Sequence, residues 1–379
     1  MKKSFFTLLL ATAAFAPALT MHAQEQIYPH HFNLSRVTLL DSPMKRAMDL
    51  NIRVLLDYDA DRLLTPFVRQ AGLTTGRYAN WIARHPNFQN WGGDGFDLSG
   101  HVGGHYLSAL AMAYAACKDP ATRALLKERL DYMVAVLKDC QDVYRHDNSG
   151  LRGFLGGQPI NDVWRQLYQG NAAAFDAVRG WVPFYCEHKV MAGLRDAFLY
   201  AGNKTAKGMF RDMADWATNL VGRLTHDQMQ SILNTEHGGM NEVLADAYRI
   251  FGDRRYLDAA EKYSHQLMVD GMQNANPTFL DNRHANTQVP KYIGFERISE
   301  DDSTATRYAF AAENFWSDVA LNRTTCIGGN SVEEHFLSKG NSNRYIDWPD
   351  GPESCNTNNM LKLSELLADR THDARYADF

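Results

Sequence analysis

Near the end of the 379-residue chain, Glu353-Ser354-Cys355 opens a stretch whose apolar positions, Met360, Leu363, Leu366 and Leu367, have helical spacing. A carboxylate and a thiolate two residues apart at a helix start can reach one cation, and Glu-x-Cys is half of a tetrahedral zinc set. The same Glu353 also fits a plain acidic residue favoured at a helix N-terminus. Upstream stands Glu333-Glu334-His335-Phe336. One of those carboxylates turned into a cleft would serve as a general acid; two left in solvent would do nothing. His101-Val-Gly-Gly-His105 puts two imidazoles on one helical face, but the Glu of a zinc-protease helix is missing, so packing or sugar contact suits them better than a metal. Trp91, Trp181 and Trp348 offer flat faces that either stack on sugar rings or fill a core.

The elements that must hold these residues are helices. Leu126, Leu130, Met133 and Leu137 form an amphipathic stripe on a helix started by Asp119-Pro120, and Ser42-Pro43 starts another that runs to about Tyr58. Alternation of the strand type is scarce, so the class is all-α. Similar short turns recur at Lys118-Asp119-Pro120, Gly202-Asn203-Lys204, Gly252-Asp253-Arg254 and His372-Asp373-Ala374, which is the signature of repeated helical hairpins arranged as a toroid. After Gly252 the second helix is expected to continue to about Met268, whereas after His372 only seven residues remain. The chain is therefore read as ending inside a hairpin.

Counting back from the turns, His188 lies 14 residues before Gly202, His237 lies 15 before Gly252, and Cys355 lies 17 before His372. His101 and His105 precede Lys118 by 17 and 13 residues. At the helical rise these are all roughly 20–25 Å from a turn, so inner helices of a ring would gather them at one rim. Capping is the competing explanation for polar helix starts, although imidazole is a poor choice for a cap.

Composition excludes several classes. The chain is 45% hydrophobic and 22% charged with a formal net charge of −5, so it has the make-up of a globular protein and no basic surplus for nucleic acid or an anionic membrane. Lys2 and Lys3, an apolar run from Phe5 to Ala18 and Met21-His22-Ala23-Gln24 read as a secretory signal peptide over residues 1–24, with export to the periplasm or the extracellular space. No Cys follows the cut to carry a lipid anchor, and no later run is long enough to span a bilayer. Five cysteines without a C-x-x-C pair exclude a full disulfide framework; Cys117, Cys140 and Cys186 read as buried hydrophobes.

Several longer motifs resemble the bacterial β-L-arabinofuranosidases of glycoside hydrolase families 127 and 146. They are Leu39-Leu40-Asp41-Ser42-Pro43, Asp61-Arg62-Leu63-Leu64, Gly100-His101 with Gly104-His105-Tyr106-Leu107-Ser108-Ala109-Leu110, His284-Ala285-Asn286-Thr287-Gln288-Val289-Pro290, Ile327-Gly328-Gly329-Asn330-Ser331 and Glu353-Ser354-Cys355-Asn356-Thr357. The resemblance covers essentially the whole chain after the signal peptide. It implies an (α/α)6 barrel followed by β-sandwich parts, and a retaining enzyme with a zinc-bound cysteine nucleophile and a glutamate acid/base. Carried over by motif, Glu334 is the acid/base, Glu353 and Cys355 are two of four zinc ligands, and His188, His237 and His284 contact the arabinofuranose. The implied partner is an arabinose-containing oligosaccharide or glycoprotein glycan.

One departure stands out. The family's Cys-Cys pair, which holds the nucleophile and the remaining ligands, lies downstream of Glu-x-Cys and has no counterpart here; Cys326 sits where the family carries no ligand. Residues 25–379 are accordingly expected to be a truncated barrel, with the sandwich parts absent. The expected function is that of a β-L-arabinofuranosidase, and the alternative is an inactive sugar-binding or structural remnant. A lyase would need a Tyr or His base that nothing singles out.

Overall fold

The helix starts follow from their residues. Ser42 accepts from the backbone N–H of Lys45 with Pro43 in the first turn, and Asp119 does the same for Thr122 ahead of Pro120. In the computed structural model, which describes residues 23–89, 96–274, 276–341 and 343–378 (with the side chains of residues 343 and 346 left aside), the longer helices are these. They are α1 (Pro43–Asp57), α2 (Ala60–Gln70), α3 (His101–Ala116), α4 (Pro120–Asp142), α5 (Pro183–Ala201), α6 (Lys204–Val221), α7 (Met240–Phe251), α8 (Arg254–Lys262), α9 (Ala285–Asp301), α10 (Thr306–Asn322) and α11 (Ser354–Thr371). Among the described residues there is no strand, and the only ladder-type pairings are isolated bridges at His284, Val332 and His335. No described helix is long and apolar enough to cross a membrane. Of the signal peptide expected over residues 1–24, all but Ala23 and Gln24 lies outside the described residues, as do Trp91 and Phe379.

Two layers result. The inner row runs α3, α5, α7, α9, α11, each packed on the next; the outer row, α4, α6, α8, α10, backs them as hairpin partners. Because α3 and α11, the ends of the inner row, line one cavity together with α5, the row bends round into a toroid. Burial follows the layers. Helix α9 is buried on nearly all faces, Lys291, Glu296 and Arg297 included, whereas α8 buries only a stripe of Tyr256, Leu257, Ala259 and Ala260. Between α5 and α6 and between α7 and α8, the turn is a left-handed Gly202 or Gly252 followed by a capping Asn203 or Asp253. The last turn repeats the device with His372 at φ 56° and Asp373 as the cap, which explains the repeat visible in the sequence.

One expected element differs. The helix after Gly252 stops at Lys262, and a second, Gln266–Gln273, starts after a break at Tyr263-Ser264-His265. The Ser264 hydroxyl turns back to the Ala260 carbonyl, and His265 adopts an extended conformation, so the backbone leaves the helix there.

The inner helices approach closely where side chains are missing. A Cβ on Gly104 of α3 would collide with the Lys189 carbonyl of α5, and one on Gly193 would fall 2.6 Å from the Gly104 carbonyl. Further along the inner row, Asp246 is fully buried between Arg195 and Arg297, accepting from both. A strap ahead of α1 crosses this end of the ring. Ile27 is buried against Phe198 and Leu199, its carbonyl accepts from Arg249 and Arg297 at 3.2 Å each, and the Arg297 guanidinium lies over the Tyr28 ring.

Candidate active site

The starts of the inner helices carry the polar groups. His284 is the N-cap of α9, and its Nδ1 accepts from the Thr287 backbone N–H at 3.2 Å. Imidazole, set aside as a cap from the sequence, is one here. With Nδ1 committed as acceptor, the proton of the neutral ring sits on Nε2, which donates to Glu334 Oε2 at 2.9 Å. Glu334 reaches that position because its segment is stitched to the approach to α9: Ala285 N–H donates to the Glu334 carbonyl, and Phe336 N–H to that of Arg283. Glu333 and Glu334 both lie in the left-handed region, at φ 46° and 64°, a local strain held by this stitching and by Phe336, which is buried against Phe315. Glu334 thus stands half exposed at the rim while Phe336 anchors it.

At the start of α11, Glu353 occupies the cap position but makes no capping bond. Its carboxyl faces the Cys355 thiol, and Oε2 is buried with no hydrogen-bond partner. Burial raises the Glu353 carboxyl above its ordinary value, reinforced by the negative charges of Glu334 and Glu236. Burial and then Glu353 push the Cys355 thiol up to about 11, so it is protonated at neutral pH.

His188 and His237 lie deeper. His188, on α5, is covered by Gly238 and Gly239; a Cβ on Gly238 would sit 2.5 Å from its Nδ1. Neither ring nitrogen of His188 has a hydrogen bond, and Nε2 is 3.8 Å from Glu242 Oε2, which is also unpartnered. Burial, then Lys189, depresses His188 far below the ordinary histidine value. His237, just ahead of α7, bonds the Thr235 carbonyl through Nδ1 at 3.0 Å and leaves Nε2 buried and unpartnered. Burial, then Lys291, keeps this ring neutral too.

His284, Glu334, Glu353 and Cys355 therefore form one group, with Glu236 in electrostatic reach of Glu353. His188 adjoins it through Lys189, which Cys355 feels, and it borders the cavity of about 1020 Å³ between α3, α5 and α11. His237 belongs to a neighbouring group with His265 and Lys291. The His101 and His105 rings stand perpendicular with centroids 6.2 Å apart, His101 on the Leu98 carbonyl and His105 3.5 Å from the Tyr185 hydroxyl. Trp181 packs partly buried against the core. All five cysteines are unpaired; Cys117, Cys140 and Cys186 are buried, while Cys326 and Cys355 are exposed.

Sequence reading missed Glu236, Glu242, Lys189 and Lys291. Lys189 is half-buried, pushed down to about 8 by desolvation and then by Lys362, and partly supported by Glu242 and Glu236. Its signal was position: it follows His188 directly and lies one helical turn from Tyr185, on the same face. Glu236 likewise precedes His237 directly.

A zinc ion can be tested against the donors. Glu353 and Cys355 bring two, and Glu353 Oε2 is an orphaned buried acceptor, but no third His, Cys, Asp or Glu atom of the described residues joins them. The described group with three such atoms close together is Asp59, Asp61 and His85 at the start of α2. Tetrahedral zinc takes four ligands. The described residues do not complete that set.

Over residues 36–379 the chain matches the family model for the β-L-arabinofuranosidase GH127 catalytic domain. It belongs to that family. No protein of curated function matches it. Among solved structures, the GH127 chain is similar to a GH127 β-L-arabinofuranosidase from Geobacillus stearothermophilus T6, with TM-score 0.61 and 14% identity over 90% of this chain and 54% of that one. It is also similar to the GH127 β-arabinofuranosidase BT3674, with TM-score 0.57 and 13% identity over 91% of this chain and 52% of that one. At such identities the likeness is one of fold, and the GH127 chain spans about half the length of each.

Proposed function

We propose that this chain carries the acid/base side of a retaining β-L-arabinofuranosidase, acting on terminal β-L-arabinofuranosyl residues of plant glycans or glycoproteins after export to the periplasm or beyond. The observation that supports it most is the Glu334–His284 pair in a GH127 chain: a rim carboxyl fixed at 2.9 Å by an imidazole whose other nitrogen is locked in a helix cap. In this reading Glu334, protonated, hands its proton to the departing glycosidic oxygen while a nucleophile that is not among the described residues bonds the anomeric carbon, and as carboxylate it later takes a proton from the water that displaces that nucleophile. His284 orients it through both steps. His188 and His237, neutral and with unpartnered nitrogens, accept from sugar hydroxyls. Glu353 and Cys355 are the residues that would offer a zinc ion two donors, and no step is assigned to it.

A second reading, sugar binding without turnover, is favoured by the donor set, of which the described residues bring together only Glu353 and Cys355. Hydrolysis of p-nitrophenyl β-L-arabinofuranoside separates the two. Turnover by this chain, lost by about 10²-fold or more in Glu334→Gln, supports the enzyme. Calorimetric binding of L-arabinose without turnover, weakened in His188→Ala and His284→Ala, supports the binding module. A chain that neither binds nor hydrolyses removes both.

A further inference from the structure

Beside His237 lies a second buried imidazole that the sequence did not single out. His265, at the cap of the Gln266–Gln273 helix, faces His237 edge to face with ring centroids 6.2 Å apart. Its Nδ1 lies 3.2 Å from Lys291 Nζ, and no described residue bonds its Nε2. Lys291 stands two helical turns into α9 from His284, and it is 2% exposed. That lysine has no structural excuse as an ion pair: the one hydrogen bond of its amine among the described residues is to His265. Leaving an amine so poorly compensated in the interior is costly, which marks a position kept for something other than stability.

Tautomers supply that something. His237 commits Nδ1 as donor to the Thr235 carbonyl, so its free Nε2 is an acceptor. The Lys291 amine donates to His265 Nδ1, which makes that nitrogen the acceptor and puts the ring proton on the free Nε2. On the reading that this rim binds a sugar, we propose that His265 is a second sugar-binding imidazole and that Lys291 fixes its tautomer, so that the His237–His265 pair offers one acceptor and one donor to neighbouring hydroxyls. The charged groups facing Lys291 agree with the role. Glu236, before α7, favours its charge, Arg283, before α9, opposes it, and burial, the largest influence, brings it down to about 7. Burial and then Lys291 push His265 down to about 3, so the ring keeps one donor and one acceptor across the physiological range.

The test uses the full chain with ¹⁵N-labelled histidine and L-arabinose as the probe. In the free protein the His265 resonances are expected to report the Nε2–H tautomer, and in Lys291→Met, or Lys291→Leu should Met not fold, a mixture with Nδ1–H. An unchanged tautomer in the folded variant overturns the part played by Lys291, whatever the protein's function. On adding L-arabinose, the Nε2 signals of both His237 and His265 should move. His265→Gln, whose amide nitrogen replaces Nε2, should bind within about threefold of the parent, while His265→Asn, which replaces Nδ1, should lose about tenfold. Movement at His237 without His265, or full binding by His265→Asn, overturns the proposal and leaves the sugar-binding reading intact. No movement at His188, His237, His265 or His284 overturns both.

Discussion

His105 shows how single side chains tie the rim to pH. Desolvation by the packed helices around it, then the charges of Lys189 and His101, lower its imidazole in the folded chain although one side of the ring stays exposed, against an ordinary 6.5 when unfolded. A depressed histidine contributes stability that is whole above pH 6.5 and drains away as the pH falls below it, because the unfolded chain takes up a proton that the folded one refuses. Replacing His105 by Gln removes that proton, so stability should fall with acidification somewhat less steeply than in the parent, the difference being reduced by the solvent that reaches this exposed ring. Denaturant titrations at several pH values measure the slopes, and equal slopes would contradict the assignment. What was legible at this scale was that His284, Glu353 and Cys355 stand at helix starts, His237 just ahead of one and His188 in the second turn of another; Glu334 stands in a turn instead. Lys291 and His265 were hidden because a lysine within a helix reads as solvent-facing until the fold buries it. The pairing of His284 with Glu334 joins positions 50 residues apart, and no local pattern encodes that.

At the scale of elements, caps and turns were readable because their signals are local: Asp119-Pro120, Ser42-Pro43 and the repeated left-handed turns each state their own structure. The break at Ser264 was not, since the apolar spacing continues across it and only the Ser264 hydroxyl and the packing of His265 interrupt the helix. Contact between inner helices rests on the absence of side chains. Gly104→Ala should force α3 away from α5, destabilising the chain by about 1–3 kcal/mol as overpacked cores do, whereas Gly208→Ala on α6, with open space around it, should be neutral or slightly stabilising. Thermal denaturation of the two variants decides. Similar losses for both would show that helix propensity, not interhelical distance, sets the effect.

For the whole molecule, the buried charge network joins three helices of the inner row. Asp246 on α7 accepts from Arg195 on α5 and Arg297 on α9, and Arg297 also bonds Glu300 at 2.6 Å. Removing the shared carboxylate with Asp246→Ala leaves Arg195 to Asp196 and Glu242 and Arg297 to Glu300, and the lost charged hydrogen bonds should cost about 1–3 kcal/mol. Urea unfolding should then show a lowered midpoint, and a midpoint within error of the parent would mean that water or neighbouring carboxylates already balance the arginines. The all-α ring was legible from periodicity and turn repeats because each hairpin is local. Which residues form the central network was not, because its members come from three hairpins.

The strap adds a constraint in time. The Ile27 carbonyl is held by guanidinium groups 222 and 270 positions further along the chain, among the most distant pairings in the molecule. During synthesis it has nothing to grip until Arg249 and Arg297 have both emerged, and closing so large a loop gains nothing until the helices carrying them are in place. Ile27 therefore waits for its two partners until about three quarters of the chain has been made, so the strap is among the last parts of the ring to lock.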